Sequence, residues 1–455
     1  MGYFNLVILL SRYIFAGFGV LFMVVAFSFM KPFVSYSLGT TRERNRFLSL
    51  CITFVHLAGI SILVGKQADE ALRAPIVING LVMYVIIMLT LWLLKLWKRQ
   101  HELVLWQIMF FMMDIGFIML ERLDHDLATK QLFAYVVGVI VALIFPNIFS
   151  ILIKPGNKYF YLGVLIITMF LPFVAGTTML GATNWVSIGG FSFQPSEIGK
   201  VALVLFLAST LSAGENHKKG YRGFIFPGVV VLGALGCLVL QKDLGAALLY
   251  YLTALMMLLM ATRSAWLPGL GLLAGAIGSV VGYFAFSHVR VRVEAWLNPW
   301  ADINGKGYQV VQGLFAMGTW GWLGSGLTRG VPNKIPLATS DYIFAAICEE
   351  FGNLMGIVVL LGYLGIILLC LQAAFRYTHA FYRLIIIGIA TIFAVQVFII
   401  IGGVMKLIPL TGITSPFLSA GGTSIVVSMG MIGLITYFSY KGRMNEEKKG
   451  GRKGE

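Results

Sequence analysis

The residues best suited to chemistry lie between Trp296 and Gln309, W-L-N-P-W-A-D-I-N-G-K-G-Y-Q. This stretch holds one carboxylate, Asp302, with the basic pair Arg290 and Arg292 just upstream. Asn298-Pro299 and Asn304-Gly305 are turn signals, so Asp302 is expected on an irregular segment, not mid-helix. A carboxylate close to apolar surface can have a raised pKa and act as a general base. An Asp can equally close a turn through its own backbone, and spacing alone leaves these two readings even. Trp296, Trp300 and Tyr308 have the amphipathic rings that favour a membrane interface.

Four further polar clusters interrupt an otherwise apolar chain. In G-A-T-N-W-V-S-I-G-G-F-S-F-Q-P-S-E-I-G-K, Ser196 is a plausible N-cap. Glu197 and Lys200, three apart, share a helix face and can pair. In Q-K-D-L-G, Asp243 is expected to pair with Lys242 or Lys200, as a structural contact more than a functional one. In T-S-D-Y-I-F-A-A-I-C-E-E-F-G, Asp341 is expected to cap a helix. The adjacent Glu349 and Glu350 cannot both face lipid cheaply, so at least one turns inward. In K-L-I-P-L-T-G-I-T-S-P-F-L-S-A-G-G-T-S, prolines and glycines break the apolar pattern. There Lys406 and the hydroxyls of Thr411, Thr414, Ser419, Thr423 and Ser424 could bind phosphate oxygens. Asp124-His125-Asp126 reads as a solvated turn, and His56 and Asp114 as groups satisfied by neighbours. No phosphate-cradling loop, zinc spacing or nucleophile elbow is present, and no metal ligand set is identified.

The elements that must hold these groups are membrane helices. The chain has 455 residues, 58% hydrophobic and 12% charged, more apolar surface than a soluble fold can bury. The net charge of +15 does not indicate nucleic acid, because most basic residues flank apolar spans. The four cysteines sit in apolar segments at unrelated spacings and read as core residues. The first span is expected to be a retained helix and not a signal peptide.

At about 20 residues per crossing, thirteen helices are expected near 5–30, 47–65, 75–97, 103–121, 131–153, 159–180, 196–213, 222–240, 244–262, 266–287, 342–372, 382–404 and 417–440. Loops bearing Lys31, Arg42, Lys98, Arg99, Lys154, Lys218, Lys219, Arg263 and Arg376 fall on one side, which the positive-inside rule makes cytoplasmic. The N-terminus is then outside and the C-terminus inside. All five polar clusters fall on the outer face. The longest loop, about 288–341, carries Arg290, Arg292, Lys306, Arg329 and Lys334 there, suited to an anionic ligand. Residues 441–455 are charged, Gly-rich and expected to be disordered.

Taken in order, Q-P-S-E-I-G-K, Q-K-D-L-G-A-A, the R-V-R before N-P-W-A-D-I-N-G-K-G-Y-Q, S-D-Y-I-F-A-A-I-C-E-E-F-G and P-L-T-G-I-T-S-P-F-L-S-A-G-G-T-S resemble the SEDS family of FtsW, RodA and SpoVE. The resemblance covers about 104–440. It implies an all-α polytopic membrane protein, with a ten-helix core over 101–440 and about three extra transmembrane helices in residues 1–100. It also implies a peptidoglycan glycosyltransferase that polymerises lipid II at the outer surface of the cytoplasmic membrane, in elongation, division or sporulation, with a class B penicillin-binding protein as partner.

On that resemblance Asp302 takes the place of the family's essential Asp, as base toward the acceptor 4-hydroxyl. Arg290, Arg292, Glu197, Lys200, Lys306, Lys406, Thr414, Ser419 and Ser424 would bind substrate, and Asp243, Asp341, Glu349 and Glu350 would support them. The leaving pyrophosphate would be met by Arg and Lys or by a divalent cation, Mg or Mn. The pattern departs from the family at Asn184, Ile303, Leu337, Thr339, Ser415 and Ala420. A lipid II flippase and a non-catalytic scaffold for a penicillin-binding protein are the alternative readings.

Overall fold

The computed structural model describes residues 3–30, 38–97, 102–179, 182–189, 191–212, 220–262 and 264–451. Of the residues used above for orientation, Lys31, Lys98, Arg99, Lys218, Lys219 and Arg263 lie outside these. Sixteen helices form among the described residues, and twelve are long and apolar enough to cross a membrane. The protein is therefore a multi-pass membrane protein.

The chain divides into two compact units. The first comprises Met1–Val139, Val291–Leu369 and Val397–Ile425. It contains α1 (Tyr3–Phe27), α2 (Thr41–Lys66), α3 (Glu70–Leu96) and α4 (Leu103–Leu123), and the start of α5 (His125–Ile148). Its centre is α4, buried on every side from Leu103 to Glu121. A predominantly apolar helix buried all round, as α4 is, belongs inside a bundle. Small residues set its spacing. A Cβ on Gly116 would lie 2.6 Å from the Leu418 carbonyl oxygen, and one on Gly59 would meet the Ile118 side chain at 2.5 Å. His56 of α2 answers Asp114 of α4 across this interface, Nδ1 to Oδ1 at 2.6 Å, and its Nε2 lies 3.0 Å from the Gly80 carbonyl oxygen of α3. Both side chains are buried, and His56 meets the Asp114 Oδ1 while Oδ2 has no hydrogen-bond partner. His125 in turn bonds Glu121, and Asp124 Oδ1 accepts from the Leu127 N–H.

The second unit comprises Ile140–Arg290, Cys370–Gln396 and Val426–Glu455. It holds α6 (Lys158–Ala175), α7 (Pro195–Leu211), α8 (Ile225–Leu240), α9 (Leu244–Thr262) and α10 (Trp266–Ala285). Between α6 and α7 the chain forms a three-stranded antiparallel sheet: β1 (Gly176–Met179), β2 (Ala182–Ile188) and β3 (Phe191–Phe193). The all-α expectation overlooked this hairpin. Its strands are too short to show a period, yet Trp, Val, Ile, Thr and Phe suit a pleated surface. Helix α7 has 17 residues and starts behind an N-cap at Gln194, not Ser196.

The loop expected over 288–341 carries two helices, α11 (Ser287–Leu297) and α12 (Tyr308–Thr319). The single helix expected over 342–372 is two, α13 (Ile343–Phe351) and α14 (Asn353–Phe375). They break at Gly352, whose φ of +90° only glycine adopts without strain. The opened ends bind the preceding loop. Asn353 and Leu354 N–H donate to the Gly321 and Trp322 carbonyls, and Ser325 and Gly326 N–H donate to Glu349 and Glu350. Helix α15 (Ala380–Val404) follows, and α16 (Gly422–Gly451) continues into the segment expected to be disordered.

Candidate active site

In the first unit, α11 places Arg292 and Trp296 four apart, on one helix face. Arg292 Nη1 donates to the Thr411 and Leu410 carbonyls at 2.7 and 3.2 Å, and Trp296 Nε1 donates to Lys406 O at 3.1 Å. These bonds fasten α11 to the irregular stretch that follows α15. Lys406 has φ +61°, an uncommon conformation for a residue with a Cβ.

Between these segments lies a cavity of about 170 Å³, lined by Arg292, Trp296, Lys306, Gln309, Leu337, Asp341 and Lys406 among others. It is smaller than the roughly 300–1,000 Å³ of drug-sized ligand sites. Three cations and one carboxylate line it. Burial pushes the Asp341 carboxyl up to about 6 against the pull of Arg292. Gly412 (φ +81°) lies between the two: its Cβ position is 3.4 Å from Arg292 Nη2 and 3.7 Å from Asp341 Oδ2. Asp341 does not cap α13. Tyr342 occupies the cap position and no side chain bonds there, because Asp341 is buried against the cavity instead.

Asp302 ends a 3-10 turn over Pro299–Asp302. Its Oδ2 accepts from the Lys306 N–H at 3.0 Å, and its carbonyl accepts from Gly307 N–H at 3.0 Å. The carboxylate therefore does close its own turn. Asp302 is exposed, so the apolar surroundings anticipated for it are not there. Lys306 joins the turn to the cavity, with its N–H on Asp302 and its Nζ 3.0 Å from Glu294 Oε2. That pair is half exposed and contributes at most about 1 kcal/mol.

Ser419 Oγ donates to Ser340 O at 2.5 Å and accepts from Ser415 N–H. Gln131 of α5, which sequence reasoning missed, reads the same turn through Ser419 O and Gly421 N–H. Ser424 is buried and Thr414 half-buried near Gly421. Both glutamates of α13 are buried. Glu349 Oε1 accepts from Val331 N–H at 2.7 Å, and Glu350 accepts from Thr328 N–H at 3.1 Å and pairs with Arg122 at 3.3 Å. Arg122 was also missed, since nothing in its spacing connects it to residue 350.

In the second unit, Lys200 Nζ lies 2.6 Å from Glu197 Oε2, as the spacing suggested, and 3.4 Å from Gln396 Oε1. Asp243 pairs with neither lysine. Its Oδ2 accepts from Asn184 Nδ2 and Gln194 Nε2, both at 2.8 Å, and its Oδ1 from Ala246 N–H. Two neutral amides take its Oδ2 instead, Asn184 of β2 and Gln194 at the α7 N-cap, and burial raises its pKa against those hydrogen bonds. Arg290 donates to Phe284 O at 3.3 Å. Among the described residues no group of three or more His, Cys, Asp or Glu converges to hold a metal.

The fold and the cavity define a polytopic membrane protein with a cation-lined site beside a turn-held carboxylate. The family model for FtsW, RodA and SpoVE, described as cell cycle protein, matches residues 96–444, and the chain belongs to that family. It is 31% identical to the peptidoglycan glycosyltransferase RodA of Mycobacterium tuberculosis, over 89% of this chain and 92% of that one. It is also 31% identical to stage V sporulation protein E of Bacillus subtilis, over 74% of this chain and 96% of that one. A chain of a peptidoglycan synthase complex that coordinates polymerization and crosslinking superposes with TM-score 0.64 at 25% identity, covering 74% of this chain and 97% of that one. The crystal structure of RodA from Thermus thermophilus gives TM-score 0.57 at 22% identity, covering 74% and 96%.

Proposed function

We propose that this protein is a peptidoglycan glycosyltransferase that polymerises lipid II at the outer face of the cytoplasmic membrane, with the N-terminus outside and the C-terminus inside. One observation carries the reading of the site: Lys306 fixes Asp302 through its backbone while its side chain lines a cavity shared with Arg292 and Lys406. A base and a cationic pocket are thereby joined by a single residue.

In the reaction Asp302 takes the proton of the acceptor sugar 4-hydroxyl. That oxygen attacks the donor anomeric carbon from the face opposite the leaving group, the bond to the pyrophosphate breaks, and the configuration inverts. The departing undecaprenyl pyrophosphate carries the displaced electron pair as negative charge, which Arg292, Lys306 and Lys406 meet. General-base help contributes about 10²–10⁴-fold, and each donor to the developing charge about 10²–10³-fold. Arg290, Glu197, Lys200, Thr414, Ser419 and Ser424 are assigned to the substrate path. Asp243, Glu349 and Glu350 hold nearby backbone N–H groups, and Asp341 supports the cavity wall beside Arg292. A class B penicillin-binding protein is the proposed partner, in line with the crosslinking complex whose chain this one resembles.

Purified protein, with and without that partner, is given lipid II in detergent. Wild type forms glycan strands, and Asp302→Asn, which keeps the turn acceptor but loses the base, forms none. Unchanged polymerisation by Asp302→Asn overturns the assignment.

A further inference from the structure

The first transmembrane helix lies outside the region matched by the family model, yet it carries a contact to the site's surroundings. Its span Asn5–Phe27 contains one charged residue, Arg12. An ionisable side chain in an apolar span is costly and calls for a partner. Arg12 Nη1 donates to the Gly324 carbonyl at 3.0 Å, 312 residues away, while its Nε donates to Leu9 O at 3.2 Å. The loop backbone lies directly on this helix: a Cβ on Gly326 would be 3.0 Å from the Ile8 side chain. Below it, Phe15 meets Phe351 edge-on at 4.9 Å, with both rings buried.

The segment Gly324–Leu327 is thus gripped from two sides. Helix α1 holds it through Arg12 and Ile8, and the end of α13 holds it through the Glu349 and Glu350 carbonyls. This segment belongs to the connection between two walls of the cavity. Helix α12 before it supplies Gln309 and Val310, and Leu337 and Asp341 follow it. Arg329 and Lys334, both exposed, lie on the same connection.

We propose that Arg12 is a positioning residue for the glycosyltransferase site, and that the added helix α1 acts as a clamp on the Gly324–Val331 loop that spaces the cavity walls. The proposal rests on the function proposed above. It goes beyond it by giving the added helix a role in substrate binding. Removing the Arg12 donor frees the Gly324 carbonyl and loosens the loop. The effect falls on binding of the anionic donor, so KM changes while the chemical step at Asp302 does not.

The test compares full-length wild type, Arg12→Met and Arg12→Lys. Arg12→Met keeps the apolar stem and loses every donor, and Arg12→Lys keeps a charged ammonium donor. Two readouts are taken: hydrogen exchange at the amides of Ser325, Gly326, Thr328 and Val331, and steady-state polymerisation of lipid II. Arg12→Met is expected to speed exchange at those amides about tenfold, the scale of one lost hydrogen bond from a charged donor. It is expected to raise KM about three- to tenfold with kcat within about twofold, and Arg12→Lys restores both. If Arg12→Met folds and both readouts match wild type, or if exchange rises while KM stays, the clamp has no role at the site and the proposal falls. Where Arg12→Met does not insert, Arg12→Gln carries the same expectation at smaller amplitude. A wild-type protein that makes no polymer while Arg12→Met speeds exchange overturns the function and leaves the clamp standing.

Discussion

The Lys306 N–H donates to Asp302 Oδ2 at 3.0 Å, while the Lys306 side chain lines the cavity beside it. One residue therefore offers two separable handles, a backbone bond that aims the carboxylate and a side chain at the cavity wall whose Nζ pairs with Glu294.

Separating them gives the first prediction. Lys306→Ala keeps the N–H and removes the cation, so KM for lipid II should rise with a smaller change in kcat. Gly305→Ala does the reverse, because its Cβ would overlap the Asp302 carboxylate. Misplacing the base by about 1 Å should cost about 10²-fold in kcat. Equal kinetic effects of the two variants would remove the division of labour.

The second concerns Arg122 and Glu350, paired at 3.3 Å with the Glu350 side chain wholly buried. Arg122→Met leaves that carboxylate without its cation, which should cost about 3–5 kcal/mol. Adding Glu350→Gln should recover most of the loss, because the amide oxygen still accepts from Thr328 N–H. Denaturation in detergent checks this, and a double variant no more stable than Arg122→Met would contradict it.

The third is a pH dependence. The Asp341 carboxyl is pushed from its ordinary value near 3.8 up to about 6, so between these values the folded protein binds more protons than the unfolded chain. The corresponding stability is fully present below about pH 4 and is lost as pH rises through 6, about 3 kcal/mol in all. Asp341→Asn cannot ionise and should keep that stability at pH 8. Unfolding midpoints of both proteins at pH 5 and pH 8 decide it, since other groups cancel in the difference; identical pH slopes would refute it.

The fourth tests the centre of the first unit. Gly116→Ala puts a Cβ 2.6 Å from Leu418 O, where backbone must move. The expected loss is about 1–3 kcal/mol. Because the shifted turn includes Ser419, polymerisation should fall as well. A neutral Gly116→Ala in both assays would show that the turn has slack.

Much was legible in the chain itself. Hydropathy alone gave the multi-pass class, because some 20 apolar residues have one stable environment. Helical spacing alone paired Glu197 with Lys200, since residues three apart share a face. The turn at Asp302 was announced by Asn298-Pro299 and Asn304-Gly305. These are local properties, written within a few residues.

Tertiary structure decided what depends on residues far apart. Asp341 looked like a helix cap and became a cavity carboxylate, because Arg292 and Gly412 meet it from distant segments. Asp243 looked ready for a lysine and found Asn184 and Gln194, because strand β2, too short to show a period, and the N-cap of α7 bring those amides to it. The helix expected over 342–372 breaks at Gly352, where the Gly321–Gly326 backbone docks into the gap. A membrane span restricts which residues can be polar, but not which distant segment they face. That choice is made by packing, where a missing Cβ or one carbonyl in reach determines the partner.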